Sequence, residues 1–230
     1  MKLPLLLLHG AIGSADQFDE LTKMLGSKIE VHALDFPGHG KQPFPEEPFS
    51  IAQFADYVVQ WMDQKKLLKV DVFGYSMGGF VGMYMASHFP ERINRVFTLA
   101  TKFNWSKEIA QREVGLLDPD VIEEKLPDFA HLLKKRHASK DWKEVLKRTA
   151  DMLTAMGRKN PLNDEDLRTM NQEVLIGMGD RDNMVIIEES VYAYRLLKNG
   201  SLLVIPGTPH PIEKVALPRL KQEILSFFQA

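Results

Sequence analysis

Apolar residues in the first hundred positions of this chain fall into short runs, separated by longer stretches in which they recur at helical spacing. The runs predict strands near residues 3–8, 29–34, 69–73 and 93–99. Between the second and third, Ile51, Phe54, Ala55, Val58, Val59 and Met62 keep a 3.6-residue period, the stripe of a helix laid on a core. Ser14 with Gln17 and Ser50 with Gln53 fit the capping-box pattern at helix starts. Strand alternating with helix predicts an α/β fold, a parallel sheet with helices on both faces.

From about Lys102 to Met170 the strand rhythm stops and helical patterns replace it. Trp142, Val145, Leu146, Thr149, Met152, Leu153 and Met156 form one apolar face, and Asp118-Pro119 and Lys159-Asn160-Pro161 punctuate the segment. The chain thus divides into a core, residues 1–101 and 171–230, and a helical insertion, residues 102–170. Following the fourth strand, the insertion should lie as a cap over the carboxyl ends of the strands, with substrate beneath it. Phe103, Trp105 and the methionines either line that space or serve as simple core. Lys134-Lys135-Arg136-His137 reads as a solvated helix face.

Chemistry enters at Gly74-Tyr75-Ser76-Met77-Gly78-Gly79. Val70-Asp71-Val72-Phe73 before it reads as a strand, and Phe80, Val81, Tyr84, Met85 and His88 after it keep helical spacing. A serine on a sharp strand-to-helix turn is a nucleophile elbow, and flanking glycines relieve the crowding such a turn creates. A serine hydroxyl needs a base, and the base an orienting acid. Downstream, Glu173 to Met178 reads as a strand, followed by Gly179-Asp180-Arg181-Asp182, which offers two carboxylates. Ser201 to Ile205 reads as the next strand, and Pro206-Gly207-Thr208-Pro209-His210-Pro211 as a rigid loop holding a histidine. The order Ser, Asp, His is the one expected of an elbow serine.

With these pieces the chain resembles the α/β-hydrolase fold superfamily, specifically its small, cap-bearing serine hydrolases. The likeness runs through Leu8-His9-Gly10-Ala11, Asp35-Phe36-Pro37-Gly38-His39-Gly40, the elbow, Gly179 to Asp182, and the loop at His210. It implies Ser76 as nucleophile, His210 as general base and Asp182 as orienting acid, with Asp180 the competitor. It places the oxyanion-hole donors at the backbone amides of Ala11 and Met77. Pro37 to Gly40 becomes a structural turn abutting the oxyanion loop. Larger relatives begin with an antiparallel hairpin, whereas here Met1 starts almost on the strand leading into that loop. The expectation is a sheet of about six mostly parallel strands, with the strand near 29–34 at an edge open to pairing with a second copy. The protein is expected as a monomer or homodimer.

The activity this implies is hydrolysis of an ester-like carbonyl in a small-molecule substrate through an acyl-enzyme. Carbon-carbon bond hydrolysis, thioester cleavage or a lyase step could use the same triad, and a receptor could keep the fold for ligand capture. No metal or organic cofactor is implied. At 230 residues, 44% of them hydrophobic, the chain can bury a full core. A formal net charge of −2 gives no reason to expect nucleic acid or an anionic membrane as partner. The absence of cysteine excludes disulfides and thiolate catalysis and is compatible with the cytoplasm. The apolar start, Leu3 to Leu8, is shorter than a secretory h-region and reads as a buried strand.

Overall fold

The computed structural model describes residues 3–138 and 140–229. Strands β1 (Leu5–Leu8), β2 (Val31–Leu34), β3 (Val70–Tyr75), β4 (Ile93–Leu99), β5 (Glu173–Gly179) and β6 (Gly200–Ile205) form one sheet in the order β2-β1-β3-β4-β5-β6. Every pairing is parallel. Every residue of β1 and β3 is buried, because a parallel strand inside such a sheet is covered on both faces; unbroken apolar runs are therefore its signature. The strand near 29–34 is β2, at one edge.

Successive side chains point to opposite faces of a strand, and the two resulting cores show it. Leu5, Leu7, Phe73 and Phe97 pack on one face with Leu21 and Leu25 of α1 (Asp19–Leu25) and Leu220 and Ile224 of α10 (Leu217–Phe228). Leu6, Leu8, Val72 and Val96 pack on the other against α2 (Ile51–Gln64), α3 (Met77–His88) and α9 (Ile187–Leu196). The α2 stripe is core as its period requires, with Ile51, Phe54, Ala55, Val58 and Met62 buried. The cap pairings form unevenly. Gln17 accepts from the Ser14 amide at the head of a short 3-10 turn, Ala15–Phe18. At α2, Ser50 Oγ takes the Gln53 amide at 3.1 Å, but Gln53 Oε1 is buried without a partner among the described residues.

Helices α4 (Lys107–Val114), α5 (Pro119–Lys125), α6 (Pro127–Arg136), α7 (Trp142–Arg158) and α8 (Asp164–Thr169) lie between β4 and β5. All seven residues of the α7 apolar face are buried. Val145, Met152, Leu153 and Met156 continue the core of the sheet, while Trp142 and Leu146 join Ile122, Ala130 and Leu133 in a small cluster of their own. The charged run at the end of α6 departs from the expected solvated face. Lys134 and Lys135 are exposed, but the Arg136 side chain is only 7% exposed and His137 is fully buried. The reason is helical geometry: positions 136 and 137 fall three and four residues after buried Leu133, on the same face.

Register aligns the strand ends. Leu8 pairs with Leu34 and with Gly74, Tyr75 with Leu99, and Gly179 with Ile205, so the loops that follow open along one edge. From β1 the chain steps outward to β2 and then returns on the far side of β1 as β3. That reversal separates the loops after β1 and β3, leaving a crevice where an open α/β sheet binds ligands.

Candidate active site

Ser76 sits between β3 and α3 with φ of +51°, a left-handed conformation unusual for a residue with a Cβ. Several contacts hold it there. Its amide donates to the Leu99 carbonyl at 2.8 Å, and its carbonyl accepts from Gly79 N, Phe80 N and the Thr101 hydroxyl. The glycines are required by close approach. A Cβ on Gly74 would lie 2.4 Å from Gly79 N, and one on Gly78 would lie 2.1 Å from the Leu8 carbonyl oxygen. The elbow thus presses against the end of β1, where the other half of the site begins.

Across the crevice, the loop after β1 brings Gly10 against the elbow: a Cβ there would meet the Tyr75 ring at 2.8 Å and Ser76 Cβ at 3.3 Å. Ala11 and Met77, the residues with the expected oxyanion amides, both line the cavity that Ser76 faces. Neither amide has an acceptor among the described residues. Met77 opens α3, where the free amides and the helix dipole favour negative charge.

The two candidate acids separate cleanly. Asp182 Oδ2 lies 2.8 Å from His210 Nδ1, its side chain has no exposed area, and its Oδ1 accepts the amides of Met184 and Val185 at 2.8 and 2.9 Å. Burial pushes the Asp182 carboxyl up, but the His210 hydrogen bond and charge, together with the two amides, outweigh it and hold the group below the usual carboxylate range. Asp180 is exposed and turns its Oδ1 to the Thr208 amide at 3.3 Å. The loop bearing His210 is fixed from below by the Tyr75 hydroxyl, which donates to the His210 carbonyl at 3.0 Å. Burial raises the Tyr75 pKa, so the hydroxyl stays a donor.

Ser76 and His210 face one cavity of about 290 Å³. Its walls are mostly apolar, with Trp105, Leu116, Phe129, Leu153 and Met156 from the helical insertion opposite Ile12, Phe80 and Val185 from the core. Of the two aromatics singled out from sequence, Trp105 faces this cavity and Phe103 does not. Lys102 lies at the join of core and insertion, its Nζ 3.7 Å from both Glu113 and Glu189, all three side chains being at most 10% exposed.

Behind the loop after β1 is a cluster that sequence reasoning did not assemble. His9, His39 and His137 are fully buried, with ring centroids 5.2 Å apart for the first pair and 5.9 Å for His39 and His137. Burial, the largest influence, pushes all three pKa values down, His9 to about 3 and His137 to about 4. Bonding partners define their neutral tautomers. His9 Nε2 accepts the Phe36 amide, leaving Nδ1–H for the Gly10 carbonyl, and His39 Nδ1–H donates to the Pro37 carbonyl. The Pro37 to Gly40 turn is thus packed against the loop after β1, as expected. His9 and His39 stood in recognisable loop motifs, but His137 carried no such signal.

The fold and site define a class, and comparison gives the same one: a model of the alpha/beta hydrolase fold matches residues 4–164, and the chain belongs to that family. Among curated proteins it is similar to the pimeloyl-[acyl-carrier protein] methyl ester esterase of Neisseria meningitidis, at 35% identity over 95 residues. That alignment covers 41% of this chain and 35% of the esterase, so the chain spans about a third of that relative's length. Among solved structures, the enol-lactonase from Burkholderia xenovorans superposes with a TM-score of 0.81 at 16% identity, covering 100% of this chain and 92% of that one. The 2-hydroxy-6-oxo-6-phenylhexa-2,4-dienoate hydrolase from Rhodococcus gives 0.80 at 22% identity, covering 100% and 91%. At such identities the likeness is one of fold. No helix among the described residues is long and apolar enough to cross a membrane.

Proposed function

We propose that the protein is a serine hydrolase that cleaves an ester-like carbonyl substrate of small to medium size through an acyl-enzyme. The observation that carries this reading is the convergence of Ser76, on its left-handed turn, and His210, paired with buried Asp182, on one cavity. His210 takes the Ser76 proton as Oγ attacks the carbonyl, then gives it to the departing alcohol; water repeats the attack on the acyl-enzyme with His210 again as base. Asp182 accepts Nδ1–H, which leaves Nε2 as the basic nitrogen and stabilises the imidazolium that forms. The Ala11 and Met77 amides receive the charge on the former carbonyl oxygen, each such donor being worth ~3 kcal/mol in the transition state.

The apolar walls favour an acyl or alkoxy group without charge, and the methyl ester named for the Neisseria relative is a chemistry such a site could serve. The insertion, residues 102–170, acts in this reading as the cap that selects substrate. The test is labelling with a serine-directed fluorophosphonate, together with turnover of p-nitrophenyl esters of increasing chain length. Labelling and turnover are expected in the parent and absent in Ser76→Ala. A parent that neither labels nor turns over any ester would sink the hydrolase reading and favour ligand capture.

A further inference from the structure

We infer that His137, contributed by the helical insertion, is a positioning residue for the oxyanion hole. The inference rests on the serine-hydrolase reading above, because it concerns the amide of Ala11.

Ile12, the residue after Ala11, has φ of +52°. A β-branched side chain in the left-handed region is strained and persists only where its surroundings over-determine it. Within the loop, Gly13 N and His9 Nδ1 both donate to the Gly10 carbonyl, which pins the segment before Ile12. The Ile12 carbonyl itself is held from outside, by His137 Nε2 at 3.1 Å. The second ring nitrogen of His137 accepts the Gly40 amide at 3.1 Å, which forces the proton onto Nε2 and makes that nitrogen the donor to Ile12. One buried imidazole therefore ties the oxyanion loop to the turn after β2, using both nitrogens.

The neighbours of His137 reinforce the grip. Lys140 donates to the Gly40 carbonyl at 2.6 Å, and Arg136 pairs with Glu213, three residues past His210, at 3.1 Å. Without the donor at Nε2, the Ile12–Gly13 peptide is free to turn as Ile12 relaxes to negative φ; its Gly13 N–H then leaves the Gly10 carbonyl, and the Gly10–Ala11 peptide, which carries the Ala11 amide, loses one of its two anchors. The loss falls on the transition state, whose oxyanion that amide meets, more than on the ground-state carbonyl. A cap that merely covered the pocket would change substrate binding instead.

The experiment compares His137→Leu and His137→Gln with the parent on one p-nitrophenyl ester, reading kcat and KM separately alongside Tm and fluorophosphonate labelling. Leucine fills similar space with no polar atom, whereas glutamine keeps one donor and one acceptor. The expected result is a kcat at least about tenfold lower in His137→Leu, towards the ~100-fold cost of removing one oxyanion donor. KM should stay within about threefold and glutamine should restore most of the rate. An unchanged kcat in His137→Leu overturns the inference while leaving the hydrolase reading intact. So does a rise in KM alone, or a rate loss that tracks the drop in Tm equally in both variants. A parent with neither labelling nor turnover overturns both.

Discussion

Nδ1 of His210 lies 2.8 Å from Oδ2 of Asp182, and the other oxygen of that carboxylate accepts two backbone amides from the loop that follows it. The pair is therefore more than a contact between side chains. The turn at Met184 and Val185 fixes the carboxylate, and the carboxylate fixes the ring. This relationship discriminates between two aspartates separated by a single residue, Arg181.

Asp182→Asn is accordingly expected to lower kcat by about 10³- to 10⁴-fold, because an amide can present its N–H to Nδ1 and favour the wrong tautomer. Asp180→Asn should stay within about threefold, since exposed Asp180 meets only the Thr208 amide at 3.3 Å. Steady-state turnover of one ester by the two variants decides the matter. Loss in Asp180→Asn with retention in Asp182→Asn would reverse the assignment.

The buried histidines make stability depend on pH in a defined direction. His9 and His137 have folded values of about 3 and about 4 against 6.5 for the free side chain, and His39 is also depressed. Below about pH 6.5 the unfolded chain takes up protons that the folded protein refuses, so stability falls as pH drops. Each histidine steepens the fall by up to about 1.4 kcal/mol per pH unit until its folded value is reached. Charged neighbours on every side, Arg136 and Lys140 against Asp16 and Asp35, modulate but do not reverse this. Asp182 adds its own loss at lower pH: its folded value is depressed, so its contribution is present above the unfolded value and disappears as pH falls through the folded one. Urea midpoints should therefore decline steadily from pH 7 to pH 4.5, a range the notion of three neutral buried rings would not survive if the midpoints stayed flat.

Removing a Cβ-intolerant glycine should cost stability, and a distant glycine provides the control. Gly78→Ala would force a methyl within 2.1 Å of the Leu8 carbonyl, a backbone atom that cannot step aside. We expect a loss of about 2–3 kcal/mol or more, as for overpacking in a core. Gly115→Ala meets nothing within 4 Å and its φ is −60°, so it should be neutral or raise stability by ~0.5 kcal/mol. Chemical denaturation of both variants is the measurement.

Lys102 joins core to insertion through buried charge. Its ammonium is shared by Glu113 and Glu189, and Glu189 Oε1 also takes the amides of Phe103 and Asn104 at 2.6 and 2.7 Å. Lys102→Met leaves buried Glu189 without its cation, while Glu113 keeps Arg112 at 2.9 Å, and should destabilise by about 3 kcal/mol at pH 7. Burial already raises the Glu189 pKa against the opposing pull of the amides and Lys102. With the lysine gone the folded state binds a proton more readily than the unfolded one, so the penalty should shrink as pH falls toward 5. A variant as stable as the parent at pH 7 would remove Lys102 from this role.

Much of this molecule is local in its causes. The unbroken apolar run of β1 and the short apolar runs of β3 and β4, interrupted by Asp71 and by Asn94 and Arg95, announced strands because a strand covered on both faces needs few polar positions, and the 3.6-residue stripes of α2 and α7 announced buried helix faces. The order of Gly74 to Gly79, Gly179 to Asp182 and His210 pointed to three loops that should meet, since chain order and strand ends are written in the primary structure. Which residues those loops hold in place was decided only in three dimensions. The resemblance had favoured Asp182 with Asp180 as competitor, but the acidic turn by itself does not say which side chain faces inward; it is Asp182 that meets His210, while Asp180 meets the Thr208 amide. His137 lies 125 positions from Ile12, in a run of positive charge that suggested solvent. Its burial depends on α6 ending with Leu133 against the core of the insertion, and no periodicity within the run could reveal what that face would meet.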